Sequence, residues 1–154
     1  MTFKKAKKNT MQEFYKMKLF PNEGGLCVHT EVYLSVHETP CFHFCIPEWR
    51  KNYISTRLLS EGVSAYEQLK KRSTKFKRIA KINSRFAFDT KEKAYDQLVF
   101  MKKRQLVHLN RDIELLGAFM SFNKKGGYND LESDHGQAFV PGTNDLVHEH
   151  YAFD

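Results

Sequence analysis

Long apolar runs are missing from this chain of 154 residues. No stretch approaches the roughly 18 consecutive apolar residues that a membrane-spanning helix needs, and the opening MTFKKAKKNTMQEF lacks the apolar middle of a secretory signal. The sequence therefore predicts a soluble protein that stays in the compartment where it is made. Cysteine is scarce, and its three copies (Cys27, Cys41, Cys45) are an odd number. A secreted scaffold normally pairs its thiols, so reduced thiols or metal ligands in a reducing cytoplasm fit better. Eight glycines and four prolines are too few for a collagen-like or low-complexity chain. There is no internal repeat, no phosphate-binding P-loop, no dinucleotide fingerprint, no HExxH and no GxSxG.

What is present suits one domain of ordinary size with a real core, because 41% of the residues are hydrophobic and 14% aromatic. The net charge of +7 is unevenly spread. Residues 1–19 carry +5, residues 20–69 carry −3, residues 70–111 carry +11 and residues 112–154 carry −6. A basic middle followed by an acidic tail points to an electrostatic partner, or to the tail folding back onto the basic surface.

The Lys-rich residues 1–10 read as a flexible basic arm. Residues 11–125 read as a single α+β domain, and 126–154 as an acidic, loop-rich tail docked on it. Within the domain, Phe14 to Phe20 predict a first strand ended by a loop at Pro21–Gly25. Two strictly alternating runs, LCVHTEVYLSVH and CFHFCIP, then flank Glu38-Thr39-Pro40. With those three residues as the loop, His37 would oppose Cys41, Ser35 would oppose His43, and Tyr33 would oppose Cys45. One face would carry Val32, Leu34 and Val36 with Phe42, Phe44 and Ile46. The other would carry Tyr33, Ser35 and His37 with Cys41, His43 and Cys45.

Ser64 with Glu67 three residues on is a capping-box signal for a helix running to about Ser73. Ile79, Ile82, Phe86 and Phe88 suggest an extended segment with Phe86 and Phe88 in the core. Asp89 with Glu92 starts a helix from Thr90 to Met120, about 46 Å long. A helix of that length outruns a compact domain, so it breaks near Gly117 or packs against another chain as a homo-oligomer. The predicted fold is thus an antiparallel sheet with an N-terminal hairpin, packed by one short and one long helix.

The segment Arg85-Phe86-Ala87-Phe88-Asp89-Thr90-Lys91-Glu92-Lys93-Ala94, continued by Gln97-Leu98 and Lys102-Lys103-Arg104-Gln105-Leu106, resembles a strand-to-helix segment of uncharacterised small accessory proteins of tailed bacteriophages. The resemblance covers residues 85–106 and brings no catalytic residues with it. It implies action in the cytoplasm of a bacterial host, often by binding a host or defence component.

Two constellations are candidates for function. His37, Cys41, His43 and Cys45 offer the imidazole and thiolate that Zn²⁺ takes, or a Cys–His pair for a hydrolase or nuclease. Residues i and i+2 on a strand are nearly 7 Å apart, however, and no CxxC occurs, so the simpler expectation is a covered sheet face with no metal and no cofactor. His148-Glu149-His150 reads as a surface tail. The second constellation is Lys70, Lys71, Arg72, Lys75, Lys77 and Arg78, joined by Lys102, Lys103 and Arg104. It would hold an acidic protein surface, or bind nucleic acid by displacing counterions. The sequence therefore predicts a non-enzymatic binder of a host or defence macromolecule, with direct nucleic-acid binding as the alternative.

Overall fold

A computed structural model describes residues 11–127, 130, 132–134 and 137–143. The expected arm at 1–10, most of the tail, and His148-Glu149-His150 lie outside the described residues. The chain divides into two compact units, Met1–Val99 and Phe100–Asp154, with the division inside the longest helix.

The first unit is built on a four-stranded antiparallel sheet in sequential order, β1 (Glu13–Asn22), β2 (Gly25–Glu38), β3 (Phe42–Pro47) and β4 (Lys77–Ala80). β1 and β2 stay paired up to Asn22 opposite Gly25, so the turn is two residues, Glu23-Gly24, and not the longer loop expected at Pro21–Gly25. Gly25 has φ +117°, a conformation that favours glycine, and Asn22 Oδ1 accepts the Gly24 N–H at 2.9 Å.

The β2–β3 register differs from the expected one, and the turn explains it. Thr39 N–H donates to the Phe42 carbonyl at 2.8 Å, and Phe42 N–H donates to Thr39 Oγ1 at 3.2 Å. This centres the reversal on Pro40-Cys41, with Pro40 supplying the fixed φ that a turn needs at its second residue. Glu38 then opposes His43, and His37 opposes Phe44 rather than Cys41. A bulge between Ser35 and His37 shifts the register once more, so Ser35 opposes Cys45 and Tyr33 opposes Pro47.

Both faces of the sheet are covered. On one, Leu34 and Ile46 pack with Leu69, flanked by Val32, Val36, Ile54 and Phe76. Leu69 comes from α2 (Ala65–Lys71), which begins with the expected capping box: Ser64 Oγ accepts the Glu67 N–H, and Glu67 Oε2 accepts the Ser64 N–H, each at 3.2 Å. Burying Ile46 and Leu69 stabilises the unit by about 1.5–3 kcal/mol each. Residues 48–62, which carry no clear periodicity, form a 3₁₀ helix (Glu48–Tyr53) and a short helix α1 (Thr56–Ser60) capped by Ser55.

On the other face, Phe14, Tyr33, Cys45, Ile79 and Ala87 form the second cluster. Ala87 belongs to a strap that leaves β4 and reaches the free side of β1. There Tyr15 and Phe88 exchange both backbone hydrogen bonds, at 2.7 and 2.9 Å. The strap corrects the core expected at 79–88. Ala87 is fully buried, Phe86 and Phe88 are half-buried, and Ile82 is 79% exposed. The strap thus contributes its small alanine, not its larger side chains, to the centre of this cluster.

α3 spans Lys91–Lys125 and passes Gly117 without a break. Its 35 residues make it about 52 Å long. Thr90 Oγ1, rather than Asp89, accepts the Lys93 N–H at 3.3 Å, while Asp89 pairs with the Lys93 ammonium at 2.8 Å. In the second unit β5 (Glu132–Asp134) and β6 (Gln137–Phe139) form a small antiparallel pair. The fold class is α+β, with the hairpin, the short helix and the long helix the sequence predicts. Among the described residues, no helix is long and apolar enough to cross a membrane.

Candidate functional site

Lys70 and Lys71 close α2, Arg72 and Lys75 occupy the connection that follows, and Lys77 and Arg78 open β4. All six are exposed, and among the described residues none is paired with a carboxylate. Lysine at a helix C-terminus faces the negative end of the backbone dipole, and cations on an edge strand keep it from pairing with other strands. Helix and edge thus account for part of this charge locally. β4 alternation then sends Lys77 and Arg78 to opposite faces: Lys77 Nζ lies 5.7 Å from the Phe86 ring centre and Arg78 Cζ lies 5.9 Å from that of Phe42. Lys102, Lys103 and Arg104 are exposed on the part of α3 that belongs to the second unit.

Two aromatic neighbours of this charge, Trp49 and Tyr53, were not apparent from sequence. The 3₁₀ helix presents Trp49 and Tyr53, which are 59% and 50% exposed, edge to face with ring centres 6.2 Å apart. Arg50 Cζ stands 4.9 Å from the Trp49 ring centre, and Arg72 Cζ stands 5.9 Å from that of Tyr53. Trp49, Arg50, Tyr53, Arg72 and Thr74 line an open cleft of about 220 Å³. Gln68 fixes this arrangement from beneath. Its amide donates to the carbonyls of Ser55 and Val63, each at 3.2 Å, and its Oε1 accepts the Ser55 N–H at 2.8 Å, tying the start of α1 to α2. A tryptophan followed four residues later by a tyrosine is the only trace of the cleft in the sequence. Lys16 extends the positive surface onto β1, 4.1 Å from the Phe86 ring centre, where burial and then the neighbouring Lys18 lower its pKa.

The Cys/His set is not brought together. His37 stacks on Tyr66 of α2 at 4.5 Å and faces Phe44, whereas His43 lies on the opposite face, 4.9 Å from Phe14. Cys45 is fully buried, and burial pushes its thiol up to about 12, so it is a small apolar residue at neutral pH. Cys41 is exposed in the turn. Among the described residues, no group of three His, Cys, Asp or Glu side chains is arranged to hold a metal ion.

His43 instead belongs to a second, polar cavity of about 630 Å³, lined also by Glu38, Lys81, Asn83, Asp89 and Lys93. Its Nδ1 is hydrogen-bonded to Ser35 Oγ at 3.2 Å and lies 3.7 Å from Glu38 Oε2. Burial holds the imidazole below the usual histidine range; Lys81 adds to that effect and Glu38 opposes it. Glu38 is itself paired with Lys81 at 3.1 Å, and that partner lowers its pKa. The cavity's cations and carboxylates are largely matched to each other, which leaves it little net field for a charged ligand.

Compared with known families, curated proteins and solved structures, the chain matches none.

Proposed function

We propose that this chain is a non-enzymatic binding protein that engages a macromolecule through the basic residues Lys70, Lys71, Arg72 and Lys75 and the adjoining edge strand, from which Lys77 and Arg78 project to either face. The supporting observation is the contact of Arg72 with Tyr53, which joins the basic run to the exposed Trp49 cleft. Cations supply long-range attraction, and exposed Trp, Tyr and Arg supply the short-range contacts that interface hot spots favour. In this reading the chain is a phage-type accessory protein, its partner is a host or defence protein with an acidic face, and it acts in the bacterial cytoplasm. Lys102, Lys103 and Arg104 offer a second basic patch on the other unit.

One observation favours nucleic acid as the alternative partner. Trp49 and Tyr53 present rings on which unpaired bases stack, and Arg50 and Arg72 supply guanidinium planes beside them. Capture from bacterial lysate, with and without nuclease and at low and high salt, tests both. A single protein that survives nuclease supports the first reading, and complete loss of bound material on nuclease treatment supports the second. Charge reversal at Lys70, Lys71 and Arg72 should abolish either; binding that is unchanged by it overturns the basic surface as the site.

A further inference from the structure

α3 has two unlike sides. His108, Arg111, Leu115, Ala118 and Phe122, spaced three and four apart, are partly buried and form one side. Leu106, Leu109, Ile113, Leu116 and Met120 form the opposite side and are 57%, 49%, 65%, 63% and 52% exposed. The first stripe is partly buried and the second is exposed. An uncovered stripe of this length is unusual for a solitary molecule, because exposed apolar surface is normally scattered.

The open stripe has the period of a coiled-coil seam. Val99, Leu106, Ile113 and Met120 recur every seven residues, and Lys102, Leu109, Leu116 and Asn123 lie three residues after each. A seven-residue spacing sustained over three heptads keeps one seam facing a partner helix. The described residues of the chain offer no such helix, because α1 and α2 have five and seven residues. A second copy of α3 offers one of the right length and pattern.

Charge selects the direction. A parallel pair would set Lys102-Lys103-Arg104 against the same three cations. An antiparallel pair in which Leu109 meets Ile113 of the second copy puts Leu106 against Leu116, Lys102 against Met120 and Val99 against Asn123. Every seam position then meets its complementary heptad position, the basic run lies beside Ala118, Phe119 and Met120, and Lys124 and Lys125 approach Asp96. Gly117 flanks the seam, and a Cβ built there meets nothing within 4 Å. Its place in mid-helix, unfavourable in isolation, leaves room for a second backbone. The contact buries five large apolar side chains from each copy, each 49–65% exposed in the single chain.

We propose that the protein is a homodimer through antiparallel pairing of α3 along the Leu106–Leu109–Ile113–Leu116–Met120 seam. This does not rest on the basic surface at residues 70–78, and it sets Lys102-Lys103-Arg104 against the second copy. Sedimentation of the full chain should give twice 18.1 kDa, and Ile113→Glu with Leu116→Glu should return it to a monomer. Both residues are exposed within one chain, so circular dichroism should show the variant still folded. In a Cys41→Ser background, Leu106→Cys with Leu116→Cys should form interchain disulfides, whereas each single variant should not. A monomeric wild type, or a dimer that survives the glutamates, overturns the seam. Efficient cross-linking by the single variants shows parallel pairing and overturns the orientation.

Discussion

His37 and His43 lie on opposite faces of the same sheet, one stacked on Tyr66 and the other leaning on Phe14. The turn centred on Pro40-Cys41 and the bulge after Ser35 separate them. This parting divides the histidines into one beside the α2 face and one in a polar cavity, and it gives His43 a thermodynamic signature of its own.

Because the folded pKa of His43 is lowered, the unfolded chain binds more protons between that value and the ordinary histidine value of about 6.5. Stability therefore rises with pH across this window. The contribution is complete above about pH 6.5 and is lost as pH falls toward the folded pKa. Glu38 and Asp89, whose pKa values are lowered by Lys81 and Lys93, lose theirs only at more acid pH. Thermal midpoints should fall in two stages on acidification, and His43→Phe should remove the first while leaving the second. A single stage in the wild type would contradict this assignment.

The thiols should separate by rate. Cys41 is exposed and should react with a thiol reagent in the native protein, whereas Cys45 is fully buried with its thiol near 12 and should wait for unfolding. Mass spectrometry during labelling reads both rates, and adding urea should bring Cys45 up toward Cys41.

Two substitutions test the two packed faces. Leu69→Ala removes the α2 anchor and should cost about 2–5 kcal/mol. Ala87→Leu overfills the space between strap and sheet and should cost about 1–3 kcal/mol. Urea titration should show both as lower midpoints with an unchanged slope, the mark of lost stability rather than of an altered unfolded state.

Gln68→Leu keeps the side-chain size and should still destabilise. It leaves the Ser55 backbone without its partner and should cost about 1–3 kcal/mol. It also releases the segment that holds Trp49 and Tyr53 beside Arg72. Trp49 is the only tryptophan, so its fluorescence reports directly on the cleft. The wild type should respond to a bound partner by a spectral change that Gln68→Leu blunts.

The sequence was most legible where a local signal and the tertiary answer coincide. Ser64 and Glu67 form their box, and the alternation of Tyr33, Ser35, His43 and Cys45 marks one sheet face; the steps of α3 gave its helix, although its stripe is exposed and only Ala94 is buried. Register failed where a turn decided it. Moving the reversal from Glu38-Thr39-Pro40 to Pro40-Cys41 shifts the partner of His37 by an odd number of residues, which changes its face. The strap was misread because its buried residue is an alanine between two larger aromatics, and pattern weighs size before position. The Trp49–Tyr53 cleft had no period to find, since a 3₁₀ turn places its side chains by a hydrogen-bond pattern too short to repeat.

The bond pair between Tyr15 and Phe88 also sets an order of events during synthesis. The first unit cannot close until residue 88 is available, and it is bounded at residue 99. Leu106, where the exposed seam begins, lies 18 residues beyond Phe88, roughly 1–4 s of translation at ordinary speeds. The sheet thus has time to finish before the apolar seam of α3 leaves the ribosome, and that seam meets its surroundings attached to a unit already folded.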